Sequence, residues 1–327
     1  MFQKREPIFI RNITPMHVGV GSDLGIVDLP IQREKHTGYP KIESSGLKGC
    51  IREYFESNIK NDDDWVDVHK LFGYDDKSLT RYYDDNGESQ DVDSSKIEMF
   101  QEKKGQFAGA VGFSDARILF FPVKSAKGVF AYVTCLGVLQ KFLETVEICA
   151  CQALDELSSL IEELQPLEQS QVYCDKEKLV LDNKVVLDEY VYQRSNNDQV
   201  DQIFEQFAKI VGLDDSKAKN MVIVHDDEFV DFVTMYTEVI TRTKISNQTG
   251  TVEGGALFNE EYLPSETIMY TLLLMTASFY TEEEKCMTLK EVEEKVNEKL
   301  RGEIVLQIGS GATIGKGIVK IRKGITK

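Results

Sequence analysis

Apolar and polar side chains alternate over residues 7–13, which predicts a first β-strand. From residue 44 the period lengthens. Leu47, Cys50, Ile51, Tyr54 and Phe55 fall on one helical face, with Ser44 and Ser45 as suitable N-caps. A short helix is predicted over 62–73, built on Trp65, Val68, Leu71 and Phe72. Strands over 108–123 and 127–135 are expected to meet at a turn across 122–127, followed by one or two helices over 136–164. Residues 172–192 alternate like a hairpin turned at Asp182-Asn183, and 200–211 and 228–240 read as helices. A second hairpin is predicted over 241–264, with Asn247-Gln248-Thr249-Gly250 at its turn. A core strand (269–277), an amphipathic helix (289–300) and two strands (303–308 and 318–322) around a glycine loop complete the chain.

Two stretches lack any period. Residues 77–96 are polar and acidic, which predicts an exposed insertion. The other stretch runs His17-Val-Gly-Val-Gly-Ser-Asp-Leu-Gly-Ile-Val-Asp28-Leu-Pro-Ile-Gln-Arg33-Glu-Lys-His36-Thr-Gly-Tyr-Pro40 and is crowded with groups that move protons or hold phosphate. A loop of this length inside a domain is uncommon unless it is functional or disordered. The opening β-loop-α-β-β and closing α-β-β order predicts an α+β fold and is compatible with a ferredoxin-like sheet carrying large insertions. No internal repeat and no Ser/Gly-rich linker divides the chain.

Composition supports a packed core: 42% of the 327 residues are hydrophobic and 9% aromatic, which excludes global disorder. Residues 1–11 have no apolar h-region, and the apolar stretch 268–280 is too short to span a bilayer, so neither signal peptide nor membrane anchor is expected. The six cysteines show no CxxC pair; Cys149-Ala150-Cys151 lacks zinc spacing, and reduced thiols in a cytoplasm are expected. The net charge of −17 argues against a nucleic-acid partner, but its uneven distribution removes most of that objection. Residues 61–100 carry −8, whereas 301–327 carry +5 and 1–60 carry +2. Two basic ends that fold together would form a local track for a sugar-phosphate chain.

The glycine loop Ile308-Gly-Ser-Gly311-Ala-Thr-Ile-Gly-Lys316-Gly317 invites a phosphate-binding reading. A Walker A loop fails, because Ser310 stands at its first glycine and Gly317 where Ser/Thr would bind magnesium. A dinucleotide fingerprint fails at Ile314, and too little chain follows for either fold. Glycines between two strands would still let backbone amides approach phosphates, with Lys316 adding charge; a plain tight connection is the bland alternative. Lys48, just inside a helix start, is by itself an ordinary solvated lysine. In Phe113-Ser-Asp-Ala-Arg117-Ile-Leu-Phe-Phe-Pro-Val-Lys124-Ser125 the apolar residues are core, leaving Arg117, Lys124 and Ser125 as candidate polar contacts. His17 and His36 bracket the long loop and could form an acid/base pair, although no spacing rule links them. His69 and His225 read as structural, and Asp23, beside Gly21 and Ser22, as a turn residue.

The long loop, the Ser44-Ser-Gly-Leu-Lys48-Gly helix start, the 113–125 strands, the segment Arg242-Thr-Lys-Ile245-Ser-Asn-Gln-Thr-Gly-Thr-Val-Glu-Gly-Gly-Ala-Leu-Phe-Asn-Glu260-Glu-Tyr262-Leu-Pro and the glycine loop occur in one order. Together they resemble the RAMP superfamily of RNA-binding proteins, in particular the fourth-subunit family of Cmr complexes, the repeated backbone of type III-B CRISPR effectors. The likeness covers both ends and the centre; 60–106 and 136–220 are less distinctive.

That resemblance implies a single RAMP domain over 1–327 with a modified ferredoxin-like (RRM-like) palm, helical insertions and a protruding thumb hairpin. Its parts would be a catalytic loop at 14–40, an acidic insertion at 74–106, a largely helical insertion at 136–240, the thumb at 241–264, and C-terminal strands with the glycine loop at 301–327. It implies a backbone subunit that binds guide RNA and cleaves the complementary target at regular intervals as a metal-dependent endoribonuclease in antiviral defence. A non-catalytic scaffold of the same shape is the alternative. The implied catalytic residues are Asp28, at the family's cleavage position, with His17, Glu260 and Tyr262. Implied RNA contacts are Ser45, Lys48, Arg117, Lys124, Ser125, Ile245, Gly311 and Lys316. Asp28 would hold a divalent metal, Mg²⁺. Partners would be guide RNA, target RNA, further copies head to tail and other Cmr-complex subunits, in the cytoplasm and without a membrane.

Overall fold

The computed structural model describes residues 2–22, 25–74, 80–101, 108–149, 154–197, 199–279 and 286–324, the side chains of 253–256 excepted. Asp23 and Cys151 therefore lie outside the described residues, as do parts of the acidic insertion. The chain opens with β1 (Lys4–Asn12), the long loop, β2 (Lys41–Ile42), α1 (Ser44–Glu56) and α2 (Asp62–Phe72). Then come β3 (Arg81–Tyr83), β4 (Ser89–Asp91), α3 (Ser94–Gln101), β5 (Val111–Phe113), β6 (Ala116–Ser125), β7 (Val129–Cys135), α4 (Leu136–Glu147) and α5 (Asp155–Glu162). The middle continues through β8 (Gln171–Cys174), β9 (Val180–Leu181), β10 (Lys184–Leu187), β11 (Tyr190–Arg194), α6 (Val200–Val211), α7 (Asp215–Ala218), β12 (Met221–Val224) and α8 (Asp226–Met235). The last part holds β13 (Glu238–Ile245), β14 (Val252–Tyr262), β15 (Ile268–Met275), α9 (Leu289–Lys299), β16 (Glu303–Gln307) and β17 (Ile318–Lys323).

The centre of the molecule is a set of antiparallel strands in the order β17-β1-β15-β6. Ile8, Phe9 and Ile10 of β1 stand opposite Thr271, Tyr270 and Met269 of β15 and opposite Lys323, Arg322 and Ile321 of β17, and all three β1 side chains are buried. Such near-continuous apolar runs are what a strand covered on both faces requires. Helices α1 and α9 meet at their C-terminal ends, where Lys299 Nζ donates to the Asn58 carbonyl at 3.0 Å. Beyond β6 the sheet continues as β7-β12-β8-β11-β10-β9, and β10 returns to β6 at Leu187 and Ser125. β13 and β14 form a separate two-stranded ribbon whose Val239, Ile245, Val252 and Leu257 are exposed.

Several expectations change. Ser44 and Ser45 do not cap α1: its N-cap is Glu43, without a side-chain bond, and the Asp115 carboxylate takes the Ser44 amide at 2.9 Å instead. Pro122 is no turn residue but lies inside β6, past the last β6 residue paired with β15, where a missing N–H leaves no ladder bond unmade. The helix expected over 228–240 stops at Met235, because alternating β-branched side chains from Val239 onward enter β13. Within the acidic insertion, the segment expected to be irregular holds the β3-β4 hairpin and α3, anchored by buried Val92 and Phe100. Residues 136–240 carry strands β8–β12 beside their helices; β12, though only four residues long, is wholly buried between β7 and β8. A strand that short has no period to read.

Candidate active site and nucleic-acid interface

The long loop is held by the foot of β14 and by the glycine loop, both in the second half of the chain. Met16 pairs with Leu263 through two backbone bonds, 2.9 and 2.8 Å, at the foot of β14. The His17 carbonyl accepts from Ser310 N at 2.9 Å, and the Pro15 carbonyl accepts from Gly317 N at 2.9 Å, which lays the glycine loop alongside. Gly309 makes this approach possible: a Cβ there would stand 2.1 Å from the His17 carbonyl oxygen, and its φ of 82° favours glycine. Further along, Leu29 bridges β14, donating to the Asn259 carbonyl and accepting from Glu261 N, both at 3.0 Å. Asp28 is exposed, and its Oδ2 accepts the Asn259 amide at 2.7 Å.

Beside this attachment lies a buried polar cluster. His17 and Glu260 are 6% and 7% exposed and Tyr262 fully buried. His17 Nδ1 lies 2.6 Å from the Glu261 carbonyl, which can only accept, so that nitrogen carries the proton. Its Nε2 is 3.9 Å from Glu260 Oε1, and its ring meets Tyr262 edge-on at 5.7 Å. The Tyr262 hydroxyl donates to Glu260 Oε2, while Arg242 donates to the Tyr262 oxygen and pairs with Glu260 at 2.7 Å. Burial, and then the Glu260 carboxylate, push the Tyr262 phenol up to about 12. Ser310 Oγ reaches Glu260 Oε1 at 3.3 Å, and Lys316 Nζ sits 4.7 Å over the Tyr262 ring.

Of the four catalytic candidates, the fold therefore brings His17, Glu260 and Tyr262 together but closes them off; Asp28 alone faces solvent. Arg242, Arg33, Glu261 and Ser310 were missed by sequence reasoning. The signal for Arg242 was its β14 partner Phe258, which puts it diagonal to Glu260 across the ribbon.

The basic candidates divide. Lys48, on α1, is half-buried and pairs with no acid among the described residues; burial, and then Arg52, hold its ammonium below the usual lysine range. Cys50, two residues further along α1, bonds to the backbone of Gly309, so α1 and the glycine loop adjoin. Ser45 is exposed on the first turn, and Gly311 and Lys316 lie on the loop. Arg117 sits apart in a 250 Å³ cavity with Tyr39, Lys141 and Tyr270, and its guanidinium is already paired with Glu34 at 3.1 Å. Lys124 is exposed at the far end of the same strand, about 23 Å from Arg117 at strand rise. Ser125 does not fit its expected role: it is 5% exposed, and its hydroxyl donates to the Val186 carbonyl. Ile245 is exposed near the ribbon tip. His36 is exposed beside Glu34, whereas His17 is buried with Glu261 and Glu260 as its partners, so the two histidines sit in different surroundings.

Among the described residues no group of three or more His, Cys, Asp or Glu could hold a metal ion. Glu260 and Glu261 are committed to Arg242 with Tyr262 and to Arg33 with Thr237. Of the described carboxylates at the ribbon foot, that leaves Asp28. A single exposed carboxylate does not cage a cation, but it suits Mg²⁺ that keeps most of its waters and takes phosphate oxygens from a substrate. Among the described residues no helix is long and apolar enough to cross a membrane.

A family model described as the RAMP superfamily matches residues 9–320. The CRISPR system Cmr endoribonuclease Cmr4 of Pyrococcus furiosus is 35% identical over 313 residues, spanning 94% of this chain and 92% of that one. The crystal structure of oligomeric Cmr4 from the same organism superposes with a TM-score of 0.68 at 27% identity, covering 99% of both chains. A chain of the type III-B Cmr-beta complex, seen by cryo-electron microscopy bound to cognate target RNA, shares the fold with a TM-score of 0.71 at 21% identity, over 98% of each.

Proposed function

The chain belongs to the RAMP superfamily, in the fourth-subunit family of Cmr complexes, and on that premise we propose that it is a backbone subunit of a type III-B CRISPR RNA-guided complex that cleaves target RNA. The carrying observation is Asp28: an exposed carboxylate fixed at the foot of a two-stranded ribbon whose Glu260 meets Ser310 of the glycine loop. The strand order β17-β1-β15-β6, with α1 between the first and second of these strands in the chain and α9 between the third and fourth, supports reading the centre as a ferredoxin-like palm. The ribbon's exposed Ile245, Val252 and Leu257 support reading it as a thumb that enters the guide–target duplex and replaces lost stacking.

Guide RNA would run over the first turn of α1 and the glycine loop, which meet at Cys50 and Gly309, contacting Ser45, Lys48, Gly311 and Lys316. Lys48 is suited to this: a half-buried ammonium without an acidic partner gains most from a phosphate. The Asp115 carboxylate already occupies the first amide of α1, so the lysines and the loop backbone carry the contact rather than the helix terminus. Copies would associate head to tail, a heterologous interface that need not close, with other Cmr-complex subunits at the ends and the assembly in the cytoplasm.

Cleavage would use the RNA's own nucleophile. The 2′-oxygen attacks the adjacent phosphorus, the P–O5′ bond breaks, and the products end in a 2′,3′-cyclic phosphate and a 5′-hydroxyl. Asp28 would take the 2′-hydroxyl proton or anchor a divalent cation at the phosphate, while the leaving oxygen takes a proton from water. Mg²⁺, when bound by Asp28 with phosphate oxygens and water, would neutralise charge on the phosphate. His17, Glu260 and Tyr262 act beneath the surface, orienting the ribbon foot on which Asp28 rests.

The test is purification of the native complex, sequencing of its bound RNA and end-mapping of cut target. Asp28→Ala is expected to abolish cutting while guide binding and assembly persist. Wild-type cutting by that variant would leave a non-catalytic RNA-binding scaffold in place of this reading.

A further inference from the structure

Asp28 belongs to a loop with little regular structure of its own, yet its position must hold to within about an ångström for proton transfer or in-line geometry. The segment from Asp28 to Ile31 is fixed against β14 at three points. Asp28 Oδ2 takes the Asn259 amide, Leu29 exchanges bonds with Asn259 and Glu261, and Ile31 N donates to Glu261 Oε2 at 3.0 Å. The last of these is a side-chain bond, so its strength depends on how firmly Glu261 is held.

Glu261 is 6% exposed, and its other oxygen, Oε1, accepts from Arg33 Nη2 at 2.6 Å and from Thr237 Oγ1 at 2.7 Å. Arg33 in turn donates from Nη1 to the Gly38 carbonyl and to the Val233 carbonyl in α8, both at 2.8 Å. One guanidinium thus joins the loop's two halves, the last turns of α8 and the ribbon foot through a single buried carboxylate. A planar, forked cation can do this; an ammonium cannot satisfy all three acceptors in the same geometry. The Glu261 side chain points to the opposite face of β14 from Glu260, so the clamp faces away from the His17–Glu260–Tyr262 cluster, which meets Glu261 through its carbonyl at His17 Nδ1.

We propose that Glu261, oriented by Arg33, is a positioning residue for target cleavage: it holds Ile31, and through it Asp28, in register with the ribbon foot. The proposal rests on the cleavage reading above and deepens it.

The experiment uses reconstituted complex with wild-type chain, Asp28→Ala, Arg33→Ala, Arg33→Lys and Thr237→Val. Guide binding, target Kd and cleavage kcat are measured separately. Arg33→Ala is expected to lower kcat on the order of 10- to 100-fold with target Kd changed less than about two-fold; unchanged target binding is the readout that general unfolding would not spare. Thr237→Val, which removes one bond to Oε1 and keeps the shape, is expected to lower kcat by a smaller factor. Arg33→Lys is expected to recover part of the loss, since it restores the charge but not the fork. Arg33→Ala and Thr237→Val complexes that cleave at the wild-type rate would overturn the clamp, and so would a Kd loss matching the kcat loss. If Arg33→Ala fails to assemble, the Thr237→Val and Arg33→Lys rates decide alone. Wild-type cutting by Asp28→Ala would mark failure of the cleavage reading itself, whatever the clamp variants do.

Discussion

The Asp28 carboxylate accepts the Asn259 backbone amide at 2.7 Å, joining residues 231 positions apart in the chain. This bond leaves the side chain exposed while fixing where it points. A carboxylate set this way meets a substrate without first being ordered, so the entropy of placing it is met in folding rather than in binding.

Guide binding should depend on salt through few, identifiable lysines. Each phosphate contact on single-stranded RNA contributes about 0.7 to the slope of log K against log salt, so Lys48→Ala with Lys316→Ala should flatten it by about 1.4. Filter binding across a salt series measures this. An unchanged slope would rule out the proposed track.

Shortening the ribbon across 247–250 should affect cleavage far more than guide binding. The turn rests on local bonds, Ser246 N to the Thr251 carbonyl and Gly250 N to the Ser246 carbonyl, both 2.9 Å, and the foot around Asn259 stays intact. Cleavage is expected to fall on the order of 100-fold in end-labelled target assays, with guide affinity close to wild type. Equal losses would make the ribbon a merely structural element.

Tyr262 should stay a neutral phenol through any pH a complex works in. Its folded value is raised to about 12 against an unfolded value of about 10. Its contribution to stability is therefore fully present below about pH 10, and is lost as pH rises through the folded value. A difference titration by absorbance at 295 nm, wild type against Tyr262→Phe, should show the missing transition only near pH 12. A transition near pH 10 would mean that Tyr262 is neither buried nor bonded to Glu260 as described.

Two glycines with the same backbone sign should respond differently to alanine. Gly315 has φ 72° and open space around it, so Gly315→Ala should cost only the left-handed strain, about 1–2 kcal/mol. Gly309→Ala adds a collision with the His17 carbonyl and should cost more, with cleavage falling alongside. Urea unfolding of both variants decides; equal destabilisation would deny the close approach.

Much of this protein was legible in its sequence. Continuous apolar runs such as 269–277 and amphipathic periods such as 200–211 mark buried strands and helices, because burial acts on each residue where it stands in its own element. Asp182-Asn183 likewise announces its turn, both residues having positive φ. The long loop and the glycine loop declared themselves by composition; within the first, Asp28 was marked only by the resemblance to the RAMP family, not by any local pattern.

What tertiary structure decided was which of those groups meet, and which remain open to a substrate. Nothing local says that Ser125 turns its hydroxyl to Val186, that Asp115 rather than a serine caps α1, or that His17, Glu260 and Tyr262 pack shut under Arg242. The same holds for Arg33, whose three acceptors come from the loop itself, from α8 and from β14. Hydrogen bonds and ion pairs act over about 3 Å between atoms hundreds of residues apart. Their partners are set by the folding of the whole chain, and a one-dimensional pattern records only the residue types that could take part.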